Sequence, residues 1–197
     1  MSAPRKSRRR ETPAHRAGHD YVESFPPSVG TDCRILILGS MPGVRSLAAA
    51  QYYAHPQNLF WPMAQAVFGV DAAQPYATRL AALIECGVGL WDVLGGCERR
   101  GSLDSSIDVR SEVPNAIAAL LQQCREIQVI AFNGAKAAQA FARHVAADIP
   151  TDRRCELELL VLPSTSPAHA SVSRDEKMRR WSVLGPKARR RERSANR

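Results

Sequence analysis

The chain has 197 residues, which is enough for one well-buried domain but too few for two of ordinary size. Its hydrophobic content of 45% is typical of a globular protein, and no apolar run reaches the roughly 20 residues that span a bilayer. The basic N-terminus continues into polar sequence and not into an apolar signal core. We therefore expect a cytoplasmic protein that makes no membrane contact.

The net charge of +8 is concentrated at the two ends of the sequence. Residues 1–16 and residues 187–197 each carry six basic groups and one acid, a net +5 apiece, which leaves −2 for the rest. Basic ends of this kind raise affinity for a polyanion through counterion release, and they equally serve as solubilising tails. We expect a basic disordered arm and lead-in over 1–30, one folded domain over 31–186 and a basic disordered tail over 187–197.

Short apolar runs alternate with segments of helical periodicity along the chain. The runs predict strands at residues 34–38, 88–93, 128–132 and 156–162. Helices are predicted at 58–68, 76–86, 114–123, from 135 to about 147, and at 174–184. This alternation predicts an α/β fold, a three-layer α/β/α sandwich around a central four-stranded parallel sheet.

In such a sheet, ligands bind outside the carboxyl ends of the strands, which directs attention to loops 39–58, 94–107, 133–136 and 163–170. The first loop begins with residues 39–43, Gly-Ser-Met-Pro-Gly. Its glycines permit close backbone approach, so its N–H groups can bind a carbonyl or phosphate, although a plain strand-to-helix turn has the same composition. It is not a phosphate-binding Walker loop, because no Gly-Lys-Ser/Thr follows.

Residues 51–61 (QYYAHPQNLFW) combine four aromatic side chains with a histidine and an asparagine. In a nucleobase pocket, aromatic rings stack on the base, and an asparagine reads its edge or holds a water. We expect Phe60 and Trp61 to pack a helix on the sheet. Tyr53 and Asn58 are the candidates for ligand contact.

These segments resemble the uracil-DNA glycosylase superfamily. Residues 39–61 are similar to its mismatch-specific branch, whereas residues 89–107 (GLWDVLGGCERRGSLDSSI) and 162–170 (LPSTSPAHA) resemble its hypoxanthine-DNA glycosylase branch. The resemblance covers residues 33–184 in consistent order. It implies a DNA glycosylase that acts, as a monomer, on DNA containing a deaminated base, with hypoxanthine as the favoured base.

The resemblance also implies roles for individual residues. The first motif shapes the base pocket, and it matches Gly39, Ser40, Met41, Pro42 and Gly43. Met41 stands where mismatch-type relatives have a catalytic asparagine, and a thioether neither orients water nor accepts a proton. The essential amide of the hypoxanthine branch matches Asn58, and the aromatic residue that stacks on the flipped base matches Tyr53.

The second motif matches residues 163–169, a loop that enters the minor groove. Leu162 replaces the histidine or asparagine that often precedes its Pro-Ser. From this motif we expect Ser164 to contact the base. The residues expected to contact DNA are Ser166, Pro167, Ala168 and His169, together with Lys136 as a phosphate contact at the start of a helix.

Cleavage of an N-glycosidic bond passes through an oxocarbenium-like sugar, so an enzyme must hold a water near C1′ and stabilise the departing base. Asn58 is the candidate for holding water, and Ser40 and Ser164 are candidates for donating to the base. The sequence shows no evident carboxylate pair of the glycoside-hydrolase kind. We expect Asp92 to be structural at a strand end, and Asp104 to cap a turn or contact substrate.

No metal or cofactor is expected, because the five cysteines are scattered without a Cys-x-x-Cys pair. Two alternatives remain open. The first is a glycosylase for uracil or mispaired thymine. Met41 argues against it, because an efficient uracil enzyme is expected to have an amide side chain at this position. The second is a catalytically silent DNA-binding protein with the same fold, which the substitutions at Met41 and Leu162 favour.

Overall fold

The computed structural model describes residues 20–188. Its strands are β1 Asp20–Glu23, β2 Ile35–Gly39, β3 Val88–Asp92, β4 Leu94–Arg99, β5 Val113–Pro114, β6 Val129–Asn133 and β7 Glu158–Leu162. Its α-helices are α1 Val44–Ala49, α2 Phe60–Phe68, α3 Tyr76–Glu85, α4 Ile117–Gln123, α5 Ala135–His144, α6 Thr151–Cys155, α7 Arg174–Trp181 and α8 Gly185–Ala188. None of the helices formed by these described residues has the length and apolar character needed to cross a membrane.

The main sheet consists of four parallel strands in the order β3-β2-β6-β7. Ile35 of the central strand β2 pairs with Val88 on one side and with Val129 on the other. Every residue of β2 and β3 is buried, because helices cover both faces of the sheet. The predicted four-stranded parallel sheet is confirmed.

Alternate residues of the strands enter two separate cores. Ile35 and Ile37 of β2 pack against α2, α3 and α7, whereas Leu36 and Leu38 pack against α4 and α5. The first core contains Phe60 and Trp181. The structure therefore has the three layers expected of an α/β/α sandwich.

A second sheet was not predicted. It is antiparallel, has the order β1-β4-β5, and places β1 within the segment expected to be a disordered lead-in and β4 within the expected loop 94–107. The sequence pattern did not indicate β4, because this strand contains glycines and so lacks a regular alternation of polar and apolar side chains. A side chain at Gly96 would collide with the Tyr21 hydroxyl.

The last described residues also belong to the fold. Lys187 of α8 donates to Glu158 Oε2 at 2.6 Å, and the Ala188 carbonyl accepts from Arg34 Nη2. The boundary predicted at residue 186 therefore falls inside α8. The remaining parts of the predicted basic ends, residues 1–19 and 189–197, lie outside the described residues.

Candidate active site

The carboxyl ends of three parallel strands meet at one point of the sheet. Gly39, Asp92 and Asn133 end β2, β3 and β6. Because side chains alternate between the two faces of the sheet, all three residues lie on the face that packs against α2. A Cβ atom at Gly39 would lie 2.5 Å from Asp92 Oδ1 and 3.6 Å from the Tyr53 hydroxyl oxygen. Only glycine allows the Asp92 carboxyl to approach the end of β2 so closely, whereas the Tyr53 hydroxyl would be in ordinary van der Waals contact with a side chain there.

The first loop, residues 39–43, is held by the segment 99–104 that follows β4. Two hydrogen bonds join them, Arg99 Nη2 to Pro42 O (2.5 Å) and Ser40 Oγ to Asp104 Oδ1 (2.6 Å), and a third, Val44 N to Ser102 Oγ (2.9 Å), holds the residue that follows the loop. A loop anchored in this way is fixed before any ligand arrives, which is what preorganised donors require.

Two residues of this loop have structural roles. The Met41 side chain is buried in the core on the α5 side, so we expect only its backbone to face a ligand. Gly43 precedes α1, and its carbonyl accepts the first backbone bond of that helix, from Leu47 N. Neither side chain supplies a proton donor or acceptor.

Tyr53 lies beside the first loop with a left-handed backbone, φ 57°. Its ring stacks on Phe60, with a centroid separation of 4.0 Å and an interplanar angle of 19°. Burial, followed by the nearby Asp92 carboxyl, raises the pKa of the Tyr53 hydroxyl, and the Asn133 side chain lies next to that hydroxyl. The ring is therefore a fixed, neutral platform, and a base could stack on the face opposite Phe60.

Asn58 lies at the start of α2. Its Oδ1 accepts from Phe60 N at 2.9 Å, and its own backbone N–H donates to the His55 carbonyl. The side-chain oxygen thus caps a free N–H of the helix, and the Nδ2 group takes no part in that bond. This half-buried amide can serve a ligand while its oxygen is fixed.

Asn133 connects the second motif to the segment that carries Asn58. Its Nδ2 donates to Thr165 Oγ1 at 2.9 Å, and its Oδ1 accepts from Thr165 N at 2.8 Å. The Thr165 carbonyl in turn accepts from Leu59 N, immediately after Asn58. The sequence indicated no role for Asn133 beyond its place in the loop 133–136, and its position at the end of a predicted strand was the available signal.

The second loop, residues 163–170, is shaped by its own serines and held by α7. Ser164 Oγ accepts from Ser166 N, and Ser166 Oγ accepts from Ala168 N, which forms two consecutive serine turns. Bonds from α7 fix both ends: Trp181 Nε1 donates to Pro163 O (2.9 Å) and Lys177 Nζ donates to His169 O (2.6 Å). Pro167 and Ala168 are left exposed at its tip.

Two carboxyl groups, those of Asp92 and Asp104, lie within the site. Asp92 is only 3% exposed, and burial together with the charge of Asp104 raises its pKa to about 8. Burial also raises the pKa of Asp104, against the opposing effects of Ser40 and Arg99. Like charges in one buried site disfavour each other, and the raised pKa of Asp92 makes it the group that keeps its proton near neutral pH.

Lys136 occupies the first turn of α5, but its ammonium is already paired. Glu112, whose side chain is fully buried, lies 2.6 Å from Lys136 Nζ, 2.6 Å from Arg143 Nη1 and 2.7 Å from His144 Nε2. A phosphate at Lys136 would compete with this carboxylate. The phosphate contact stays a prediction.

The fold is an α/β/α sandwich, and its candidate site lies at the carboxyl edge of the parallel sheet, where Tyr53, two anchored loops and two carboxyl groups meet. A family model described as the Uracil DNA glycosylase superfamily matches residues 26–185. The chain therefore belongs to the uracil DNA glycosylase superfamily, and its class of activity is that of a DNA glycosylase, with DNA as its substrate.

Individual relatives agree with this assignment. The chain is 36% identical over 118 residues to a protein of Methanosarcina barkeri named Hypoxanthine DNA glycosylase, covering 59% of this chain and 73% of that one. It is 34% identical over 152 residues to a Methanosarcina acetivorans protein of the same name, covering 77% and 90%. The solution NMR structure of a Methanosarcina acetivorans protein described as a candidate uracil DNA glycosylase matches 86% of this chain and 100% of its own, with a TM-score of 0.71 and 29% identity.

Proposed function

We propose that this chain is a monofunctional glycosylase that removes hypoxanthine from DNA by hydrolysis of the N-glycosidic bond. The identity of 34–36% to proteins named Hypoxanthine DNA glycosylase supports the choice of base. The observation that carries the proposal is the position of Tyr53, a rigid ring stacked on Phe60 between the two anchored loops. An extruded base needs such a platform, with polar groups around its edge.

Four groups have roles in this proposal. Tyr53 stacks on the flipped base, and Asn58 holds the attacking water through its Nδ2 group. Ser164 and the backbone N–H groups of residues 39–41 and 43 donate hydrogen bonds to the base as negative charge develops on it, whereas the one hydroxyl proton of Ser40 is already donated to Asp104. Charge stabilisation of this kind is commonly the largest contribution to catalysis.

The second loop is the proposed contact with the DNA duplex. Ser166, Pro167, Ala168 and His169 would enter the minor groove and fill the space that the flipped nucleotide leaves. Each of the proposed groups comes from one chain, which is why we propose that a monomer is active. The cytoplasmic location stays a prediction.

Hydrolysis is favoured over a lyase reaction by the state of two lysines near the loops. Lys177 Nζ donates to the His169 carbonyl, and Lys136 is paired with Glu112. A Schiff-base mechanism needs an amine that is free to attack the sugar. We therefore expect an intact abasic site as the product.

A panel of labelled duplexes tests the proposal. Each duplex carries hypoxanthine, uracil, xanthine or a G·T mispair at one position, and abasic sites are cleaved with alkali after incubation. We expect the hypoxanthine duplex to be cleaved fastest. Faster cleavage of the uracil or G·T duplex would support the alternative glycosylase, and binding without cleavage of any duplex would support a silent DNA-binding protein.

A further inference from the structure

The Asp104 carboxylate lies directly against the first motif. It belongs to a single 3₁₀ turn, Asp104–Ser106, in the segment that wraps around residues 39–43. Its Oδ1 accepts from Ser40 Oγ at 2.6 Å, and the residue is only half-buried. The sequence has Met41 where mismatch-type relatives have a catalytic amide. In the fold, the Asp104 carboxylate is hydrogen-bonded to the preceding residue, Ser40.

Buried polar groups beside Asp104 have unmet hydrogen-bonding capacity. Asp92 Oδ2 and the Nε and Nη1 atoms of Arg99 form no hydrogen bond within residues 20–188. These side chains are 3% and 1% exposed. Unsatisfied polar atoms this deeply buried are uncommon and costly, so their presence around one carboxylate indicates a site that is completed by water or substrate.

The charged groups around Asp92 and Asp104 favour different protonation states for these two carboxyl groups. Arg99 and Lys136 are the cations that act on Asp104, and both favour its ionised form. Asp92 faces Asp104 and Arg99, and its other titratable neighbours are Tyr52, Tyr53 and Tyr76, which burial keeps neutral. Cys97, near Arg99 and Asp104, is likewise kept neutral by burial. The two cations therefore favour the ionised form of Asp104, whereas burial and the charge of Asp104 favour the neutral form of Asp92.

We propose that Asp104 is a catalytic residue that takes a proton from the water attacking C1′. This inference rests on the proposed glycosylase function and names the base for it. As the water oxygen bonds to C1′, the C1′–N bond breaks and its electron pair leaves with the base, while one water proton passes to the carboxylate. The proton is then transferred to the departed base, which regenerates Asp104 and yields a free base and an abasic sugar.

The direct test compares the wild type with Asp104→Asn on the hypoxanthine duplex. Asparagine keeps an oxygen for Ser40 Oγ but cannot accept the proton. We expect the single-turnover rate to fall by about 10²–10⁴-fold, the range for loss of a general base, with duplex affinity and melting temperature retained. The acid limb of the pH–rate profile should disappear in the variant, which a purely structural role would not produce.

Two further variants sharpen this test. Asp108→Asn is the matched control, because Asp108 caps the next 3₁₀ turn through a bond from Arg110 N, and it should keep the wild-type rate and profile. Ser40→Ala removes a hydrogen bond that lowers the pKa of Asp104, so the acid limb should move to higher pH. This second readout stands even if Asp104→Asn folds poorly.

The outcomes separate the two proposals. If the wild type releases hypoxanthine and Asp104→Asn stays within about threefold of it, or keeps the acid limb, the role of Asp104 is overturned and the proposed function stands. If the wild type prefers another base, the same comparison is made on that base, and only the hypoxanthine assignment fails. If the wild type releases no base, both proposals fail.

Discussion

Replacing Asp92 by asparagine removes an ionisable group that the fold holds in its neutral form. The pKa of Asp92 rises from 3.8 to about 8, first through burial and then through the charge of Asp104. Between these two values the folded protein holds a proton that the unfolded chain has lost. The stability of the wild type therefore falls as pH rises from about 4 and levels off above about 8.

The size of the effect follows from the same shift. At pH 7, keeping Asp92 protonated costs about 4 kcal/mol, at 1.36 kcal/mol for each unit above the unfolded value. Asparagine avoids this cost at every pH but brings an amide donor that lacks a partner, a penalty of about 1–3 kcal/mol. We expect Asp92→Asn to be near neutral for stability at pH 5 and more stable than the wild type by about 1–3 kcal/mol at pH 7.

Urea unfolding of both proteins at pH 5, 6, 7 and 8 measures this difference, provided that the slope of free energy against urea is common to the two. Asp71→Asn is the control, because hydrogen bonds from Gln74 and the Ala73 N–H lower the pKa of this exposed carboxyl below 3.8, so its difference from the wild type should stay constant from pH 5 to 8. A stability difference at Asp92 that stays constant from pH 5 to 8 would refute the assignment of the proton to that residue.

Four other predictions follow from the site and the charges. Asn58→Ala should lower single-turnover excision by about 10²–10³-fold, and near-normal excision by this variant would remove Asn58 from the mechanism. Asn58→Asp keeps the oxygen that caps α2, so it separates a loss of helix stability from a loss of chemistry. Tyr53→Ala should cost roughly 1–3 kcal/mol in excision and Tyr53→Phe less, because the ring remains; equal losses would assign the role to the hydroxyl. Glu112→Gln should lower the free energy of unfolding at pH 7 by about 1–3 kcal/mol, since two partly exposed cations and the His144 ring lose their buried partner. Its neighbours lower the pKa of Glu112, so the difference should shrink as pH falls below about 4.5, and a loss equal at pH 7 and pH 4 would contradict this origin. Removing residues 1–19 and 189–197 should weaken DNA binding and flatten its salt dependence without slowing excision at saturating enzyme; an unchanged salt slope would show that the basic ends do not bind DNA.

The central sheet was predictable because its strands are read from local pattern. A parallel strand covered on both faces is a continuous apolar run, and Ile35–Gly39 and Val129–Asn133 are such runs. The antiparallel sheet lacked this signal. Gly95 and Gly96 interrupt β4, and Pro114, which we expected to begin a helix, lies in β5, while α4 begins at Ile117.

The site was predictable only in part, for a physical reason. Residues that carry a motif, such as Ser40, Tyr53 and Asn58, can be recognised one by one. The bonds of Asp104 to Ser40 and of Asn133 to Thr165 join segments distant in sequence, and no local spacing encodes such contacts. The unfavourable closeness of two carboxyl groups is likewise a property of the folded chain, so the raised pKa of Asp92 could not be predicted from composition.

The most direct test of the proposed function is to identify the products released from a deoxyinosine duplex by the full chain. The duplex is incubated with excess protein, the free base is identified by mass spectrometry, and the strand is examined before and after alkali. We predict stoichiometric free hypoxanthine and a strand that breaks only after alkali. Strand breakage without alkali would contradict the hydrolytic mechanism, and the absence of free base from a bound duplex would contradict glycosylase activity on hypoxanthine.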